Sequence, residues 1–145
     1  RVVQMANKFC EGKSPAVSPA LDGTVDIIAE VQKYLEELDL QKALLAVNQY
    51  ISQLNVLVDV KKPWELAKQG KQEEINTVLY QLLEGLRLVA LLLAPYLPET
   101  AGKIYTTLGL GHIHDIKNWI EEIAWGRLPA GTNLSPPPIL FPKKI

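Results

Sequence analysis

Two long sets of apolar residues recur at spacings of three and four, and they restrict this chain to a helical core. Leu40, Ala43, Leu44, Val47, Ile51, Leu54 and Val58 form the first set. Ile75, Val78, Leu79, Leu82, Leu86, Val89, Ala90 and Leu93 form the second. That interval lines one face of an α-helix, whereas a strand needs alternation at every second residue. The second set becomes apolar nearly all round toward its end, which predicts the central position in a bundle. No stretch alternates for long enough to make a sheet. The expected fold is all-α, an antiparallel helix bundle with short connections and an irregular C-terminal tail.

Helix-breaking residues set the limits of each element. Arg1 to Gly12 reads as the last turns of a helix, with Met5 and Phe9 on one side and Gly12 as its stop. Lys13 to Gly23 is a loop, and Asp22 or Thr24 is expected to cap a second helix with the apolar stripe Val25, Ile28, Ala29, Leu35 and Leu38. A third helix, from Asp39 to Val60, ends at Lys61-Lys62-Pro63, because the residue before a proline is driven out of helical geometry. Trp64 to Lys68 makes a short helical turn broken at Gly70. A long helix then spans Gln72 to Leu93. Pro95 breaks it, and Pro98 opens another running to Leu108. Beyond Gly109 a short helix over Asp115 to Ile120 and a turn at Trp125-Gly126 precede the tail Asn133 to Ile145, which holds four prolines. The division expected is a bundle over 1–108 and, over 109–145, a short helix and proline-rich tail that docks elsewhere.

Charge narrows the choice of partners. Lys plus Arg number 15 and Asp plus Glu 16, for a net charge of −1. Attraction of nucleic acid by bulk charge is thereby excluded, so any RNA contact must come from a local patch and from aromatic planes. The single cysteine, Cys10, has no intramolecular partner and fits a reducing compartment. The most apolar run, Leu88 to Leu97, falls well short of the ~20 residues that cross a bilayer, and Glu84 and Arg87 interrupt its extension. The location expected is cytoplasmic, or an organellar matrix, with no membrane partner. The chain starts with Arg1 rather than Met, as expected of a fragment or a processed product.

Four segments, in order, resemble the methionyl-tRNA synthetases, a class I family. Asn55 to Lys68, with Lys61-Lys62-Pro63-Trp64 at its centre, is similar to the segment where a family helix ends at Pro-Trp and a short helix follows. Arg1 to Gly12, with Lys8, Phe9 and Gly12, is similar to the helix that begins the family's anticodon-binding domain. Leu91 to Lys103 resembles its central helix and proline break, though that stretch also occurs in the sister synthetases for valine, isoleucine and leucine. Trp125-Gly126-Arg127-Leu128 through Phe141-Pro142 resembles the tail that returns toward the catalytic domain. The family's His-Ile-Gly-His and Lys-Met-Ser-Lys-Ser signatures and its zinc-knuckle cysteines are absent, and His112-Ile113-His114 does not replace the first of them. The family's anticodon asparagine would fall just before Arg1.

The resemblance implies a module that reads the CAU anticodon of methionine tRNA for a parent enzyme joining methionine to tRNA with ATP and magnesium. It implies no cofactor in this chain and a possible zinc only in the catalytic domain, the tail's expected docking partner. In the family the Pro-Trp tryptophan stacks on the first anticodon base, a role that falls here to Trp64, and Arg1 takes the place of the anticodon arginine. Single-stranded bases are read by such planes and by hydrogen bonds to their edges. From the residues themselves, Lys61, Lys62, Lys68 and Lys71 cluster around Trp64, and Asn55 and Asp59 lie one turn apart on the approach to it. The plain structural readings stand beside these: a staple for Trp64, solvated faces for the lysines, a cap for Asn55. His112, His114 and Asp115 make a weak metal set, and neither Cys10 nor the paired glutamates suggest catalysis. A helical protein-interaction module, or the anticodon domain of a sister synthetase, is the alternative.

Overall fold

The structure, a computed structural model, describes residues 1–143. Seven α-helices follow in order among these residues: α1 (Val2–Phe9), α2 (Thr24–Glu36), α3 (Leu40–Lys61), α4 (Pro63–Lys68), α5 (Gln72–Leu93), α6 (Pro98–Thr107) and α7 (Trp119–Glu122). A 3₁₀ turn at Ile113–Asp115 joins the last two. No strand forms among the described residues, and Lys13 and Asn133 pair as an isolated antiparallel bridge.

α5 is the central helix. α3, α6, α4 and α1 all pack on it, while α2 packs on α3. Nearly every side chain from Val78 to Leu92 is buried, as expected of a helix apolar all round. By length and composition α5 would also pass for a membrane span, a point that the run Leu88 to Leu97 alone does not reveal. Its apolar surface is used inside the bundle, with 78% of that window buried. The larger core cluster joins α2, α3, α4 and α5 through Ile28, Val47, Leu54, Leu66 and Leu79. A smaller one joins α1, α5 and α6 to the C-terminal segment through Ala6, Tyr80, Leu83, Ile104 and Leu128.

The structure shifts several boundaries and faces from expectation. α2 has no side-chain cap: neither Asp22 nor Thr24 serves, and Gly23, at φ +83°, turns the chain into the helix. Its buried face is Thr24, Ile27, Ile28 and Val31, while Val25, Ala29 and Leu38 lie exposed. Two apolar faces were available there, and packing on α3 selects the one with adjacent β-branched isoleucines. On α3, Ala46, Tyr50 and Leu57 join the buried face and Leu40 leaves it. The single helix expected over Asp115 to Ile120 is instead a 3₁₀ turn followed, after a break, by α7, where the Asn118 side chain caps the Glu121 N–H.

The C-terminal segment straps itself across its own bundle. Glu84 of α5 is fully buried, and its carboxylate accepts hydrogen bonds from the backbone N–H groups of Gly126 (2.8 Å), Arg127 (3.0 Å) and Leu128 (3.1 Å). Arg87, equally buried, donates to the Ala124 carbonyl (2.7 Å) and to the Glu122 carboxylate (3.2 Å). The Trp125 indole donates to the Ser18 carbonyl at 2.8 Å and meets Tyr80 edge to face. Farther on, Ser14 and Thr132 exchange hydrogen bonds beside the Lys13–Asn133 bridge. The segment's apolar end is not consumed by these contacts: Ile139 and Phe141 stay exposed.

Candidate nucleic-acid interface

The corner between α3 and α4 is built on one unusual residue. Lys62 ends α3 and begins α4 at φ +44°, ψ +69°, the left-handed region that side chains with a Cβ rarely enter. Its N–H still donates to the Val58 carbonyl (2.9 Å), and its own carbonyl accepts from Glu65 (2.8 Å) and Leu66 (3.2 Å). One residue therefore serves two helices, and Pro63 at the first position of α4 supplies a preset φ and no orphan N–H. The sharp turn sends Leu66 into the core and leaves Trp64 half-buried, packed on the core along part of its ring.

Three expected residues converge there from three elements. The Arg1 guanidinium, just ahead of α1, lies 5.4 Å from the centroid of the Trp64 ring. Its Nη2 is 3.7 Å from the Asp59 carboxylate on the last turns of α3, and both charged side chains are largely open to water. Asn55, one turn before Asp59, is exposed. The arrangement offers an aromatic plane, a planar fork of donors and a carboxylate acceptor at one solvent-facing corner, a set suited to an unstacked base and its edge.

The lysines do not converge in the same way. Lys68 pairs with Glu65 (3.0 Å) on its own helix α4, and Lys71 pairs with Glu74 (3.4 Å) in the first turn of α5. Lys61 lines a cavity of 520 Å³ shared with Asp22, Glu73 and Glu74. Lys62 is exposed at the corner itself. His112 and His114 flank the 3₁₀ turn, and no group of three or more metal-ligating side chains occurs among the described residues. Cys10 is half-buried; its thiol donates to the Asn76 side chain at 3.6 Å, and burial pushes its pKa up, which suits an inert packing role. Sequence reasoning missed the buried Glu84–Arg87 pair, because acid and base three apart on a helix usually mark a solvated face; their position inside an apolar run was the available signal.

Fold and corner together define an all-α bundle closed by a strap, and solved structures share it. The chain superposes on the apo form of Mycobacterium tuberculosis methionyl-tRNA synthetase with a TM-score of 0.78 and 29% identity, covering 100% of this chain and 30% of that one. The structure of the same enzyme in complex with methionyl-adenylate gives 0.77 and 29%, over 99% and 29% of the two chains. Among curated relatives, the methionine–tRNA ligase of Streptomyces coelicolor is 35% identical over 99% of this chain and 29% of its own length. That of Caldanaerobacter subterraneus subsp. tengcongensis is 32% identical over 99% and 23%. Residues 16–145 match the family model described as the anticodon binding domain of methionyl tRNA ligase, and the chain belongs to that family. It spans less than a third of the length of these relatives.

Proposed function

We propose that this chain is the tRNA-selecting module of a methionine–tRNA ligase and that it reads the CAU anticodon at the Arg1–Asp59–Trp64 corner. The observation that carries this reading is the partly exposed indole of Trp64, with the Arg1 guanidinium 5.4 Å from its centroid and the Asp59 carboxylate 3.7 Å from that guanidinium. A base extruded from the anticodon loop stacks on the indole, for a gain of roughly 1–3 kcal/mol. Arg1 then donates to a base edge or a phosphate, and Asn55, Asp59, Lys61, Lys62 and Lys68 border the path of the loop. The parent enzyme supplies methionine activation with ATP and magnesium in its catalytic domain, against which the exposed Ile139 and Phe141 dock. Its location is where translation runs, in the cytoplasm or an organellar matrix.

The test is Trp64→Ala in the full-length parent. Aminoacylation of methionine tRNA should lose roughly 10- to 100-fold in kcat/KM, as removal of one stacking plane predicts. Methionine-dependent ATP–pyrophosphate exchange should be unchanged. Normal charging by the variant would overturn the reading.

A further inference from the structure

α1 presents a second row of RNA-binding chemistry that begins at the corner and leads away from it. Arg1, Gln4 and Lys8 are exposed, and their spacing of three and four residues sets them on one face of the helix. Val3 and Ala6 occupy the opposite face, inside the core, and the buried Met5 lies at the row's edge. The row starts with a cation over one ring and ends with a cation over another: Lys8 Nζ lies 5.4 Å from the centroid of Phe9. Phe9 is half-buried and packs on the same core cluster as Trp64. The Gln72 side chain donates to the Phe9 carbonyl at 3.1 Å, which ties this end of α1 to the start of α5. Lys42, Lys68 and Lys71 are all committed to carboxylates, whereas Lys8 makes no ion pair among the described residues. Seven residues at about 1.5 Å each put some 10 Å between the two ends of the row, a suitable reach for a strand continuing past one stacked base.

We propose that the Arg1–Gln4–Lys8 row carries the RNA strand onward from the base on Trp64, with Lys8 holding a neighbouring phosphate and Gln4 reading a base edge between the two. The proposal rests on the reading of Trp64 given above. Lysine suits a phosphate because it is a compact point charge, and glutamine suits a base edge because its amide both donates and accepts. Phe9 beneath Lys8 offers a second plane. An acidic protein segment would satisfy Lys8 equally, but would have no use for two rings each topped by a cation on one helix.

The experiment follows binding of a labelled CAU stem-loop to the chain by fluorescence anisotropy across a salt series, comparing the wild type with Lys8→Gln, Lys8→Arg, Gln4→Ala and Trp64→Ala. Lys8→Gln should weaken binding about 5-fold and lower the slope of log K against log salt by about 0.7, the value for one phosphate contact on a single strand. Lys8→Arg should restore the slope. Gln4→Ala should leave the slope intact and relax discrimination between stem-loops differing one nucleotide 3′ of the first anticodon base. An unaltered slope in Lys8→Gln, alongside lost binding in Trp64→Ala, would overturn the row while leaving the Trp64 reading in place. A wild type that does not distinguish CAU from a scrambled loop would overturn both. Gln4 and Lys8 are exposed and Trp64 is only partly buried, and unchanged circular dichroism confirms that the variants fold.

Discussion

Arg87 holds Glu84 through two parallel hydrogen bonds of 2.7 and 2.8 Å, with both side chains fully buried on the central helix. The pair is also the attachment point of the strap, since the same carboxylate receives three backbone N–H groups from residues 126–128. Removing one charge strands the other in a low-dielectric interior. Glu84→Gln should therefore cost about 3–5 kcal/mol, read as a lower urea midpoint at unchanged m-value. Replacing both residues by methionine should recover only part of the loss, because the strap's backbone donors would remain unsatisfied.

Asp59 gives the opposite expectation. Its contact with Arg1 is exposed and 3.7 Å long, so Asp59→Asn should change stability by less than about 0.5 kcal/mol. Its carboxylate nevertheless repels phosphates at the corner. The variant should bind RNA stem-loops of any sequence more tightly at low salt, by about 2- to 5-fold, with a steeper salt dependence. Discrimination between CAU and a scrambled loop should fall at the same time, because the carboxylate no longer holds Arg1.

Lys62 stores backbone strain at the α3–α4 turn. Lys62→Gly should raise stability by about 0.5–1 kcal/mol in chemical unfolding, because glycine enters the left-handed region without the Cβ penalty. Lys62→Val should lose more than 1 kcal/mol, since a β-branched residue tolerates that region least.

Two glycines separate a negotiable clash from a prohibitive one. A Cβ at Gly85 would come within 2.6 Å of the Leu54 side chain, a flexible end, so Gly85→Ala should cost about 1–2 kcal/mol and be partly rescued by Leu54→Val. A Cβ at Gly109, already at φ +75°, would collide with the backbone carbonyl of Asn133. Gly109→Ala should cost more, about 2–4 kcal/mol, and no second-site change in a side chain should restore it.

Burial pushes Tyr50, Tyr80 and Tyr105 up to about 12, from an ordinary value of 10. An unfolded tyrosine releases its proton at lower pH than these do, so the stability they contribute is full below pH 10 and is lost as pH rises toward 12. Alkaline titration should show the last three of the five tyrosines ionising together with loss of helical circular dichroism. Ionisation of more than two of the five tyrosines with the helices intact would contradict the buried placement of these three.

Helical class, the central place of α5 and the Pro-Trp corner were legible in the chain because each depends on local spacing. The outward face of α2 was not. Val25, Ala29 and Leu38 fit a stripe as well as Ile27 and Val31 do, and only the shape of α3 decides between them. The directions of the lysines were not legible either, because proximity in sequence does not fix direction: Lys61 opens onto the cavity beside Asp22. Nor does spacing reveal that Arg1 reaches Asp59 and Trp64, since that needs three elements placed in space.

The clasp between Ser14 and Thr132, with Lys13 facing Asn133, has a consequence for how the protein is made. A ribosome releases α1 long before the residues that shelter it exist, so Val3 and Tyr80 travel uncovered until Leu128 emerges. Completion of this core is thus a late event for the bundle, and a nascent chain stalled short of Leu128 would present sticky surface to the cell's holdases.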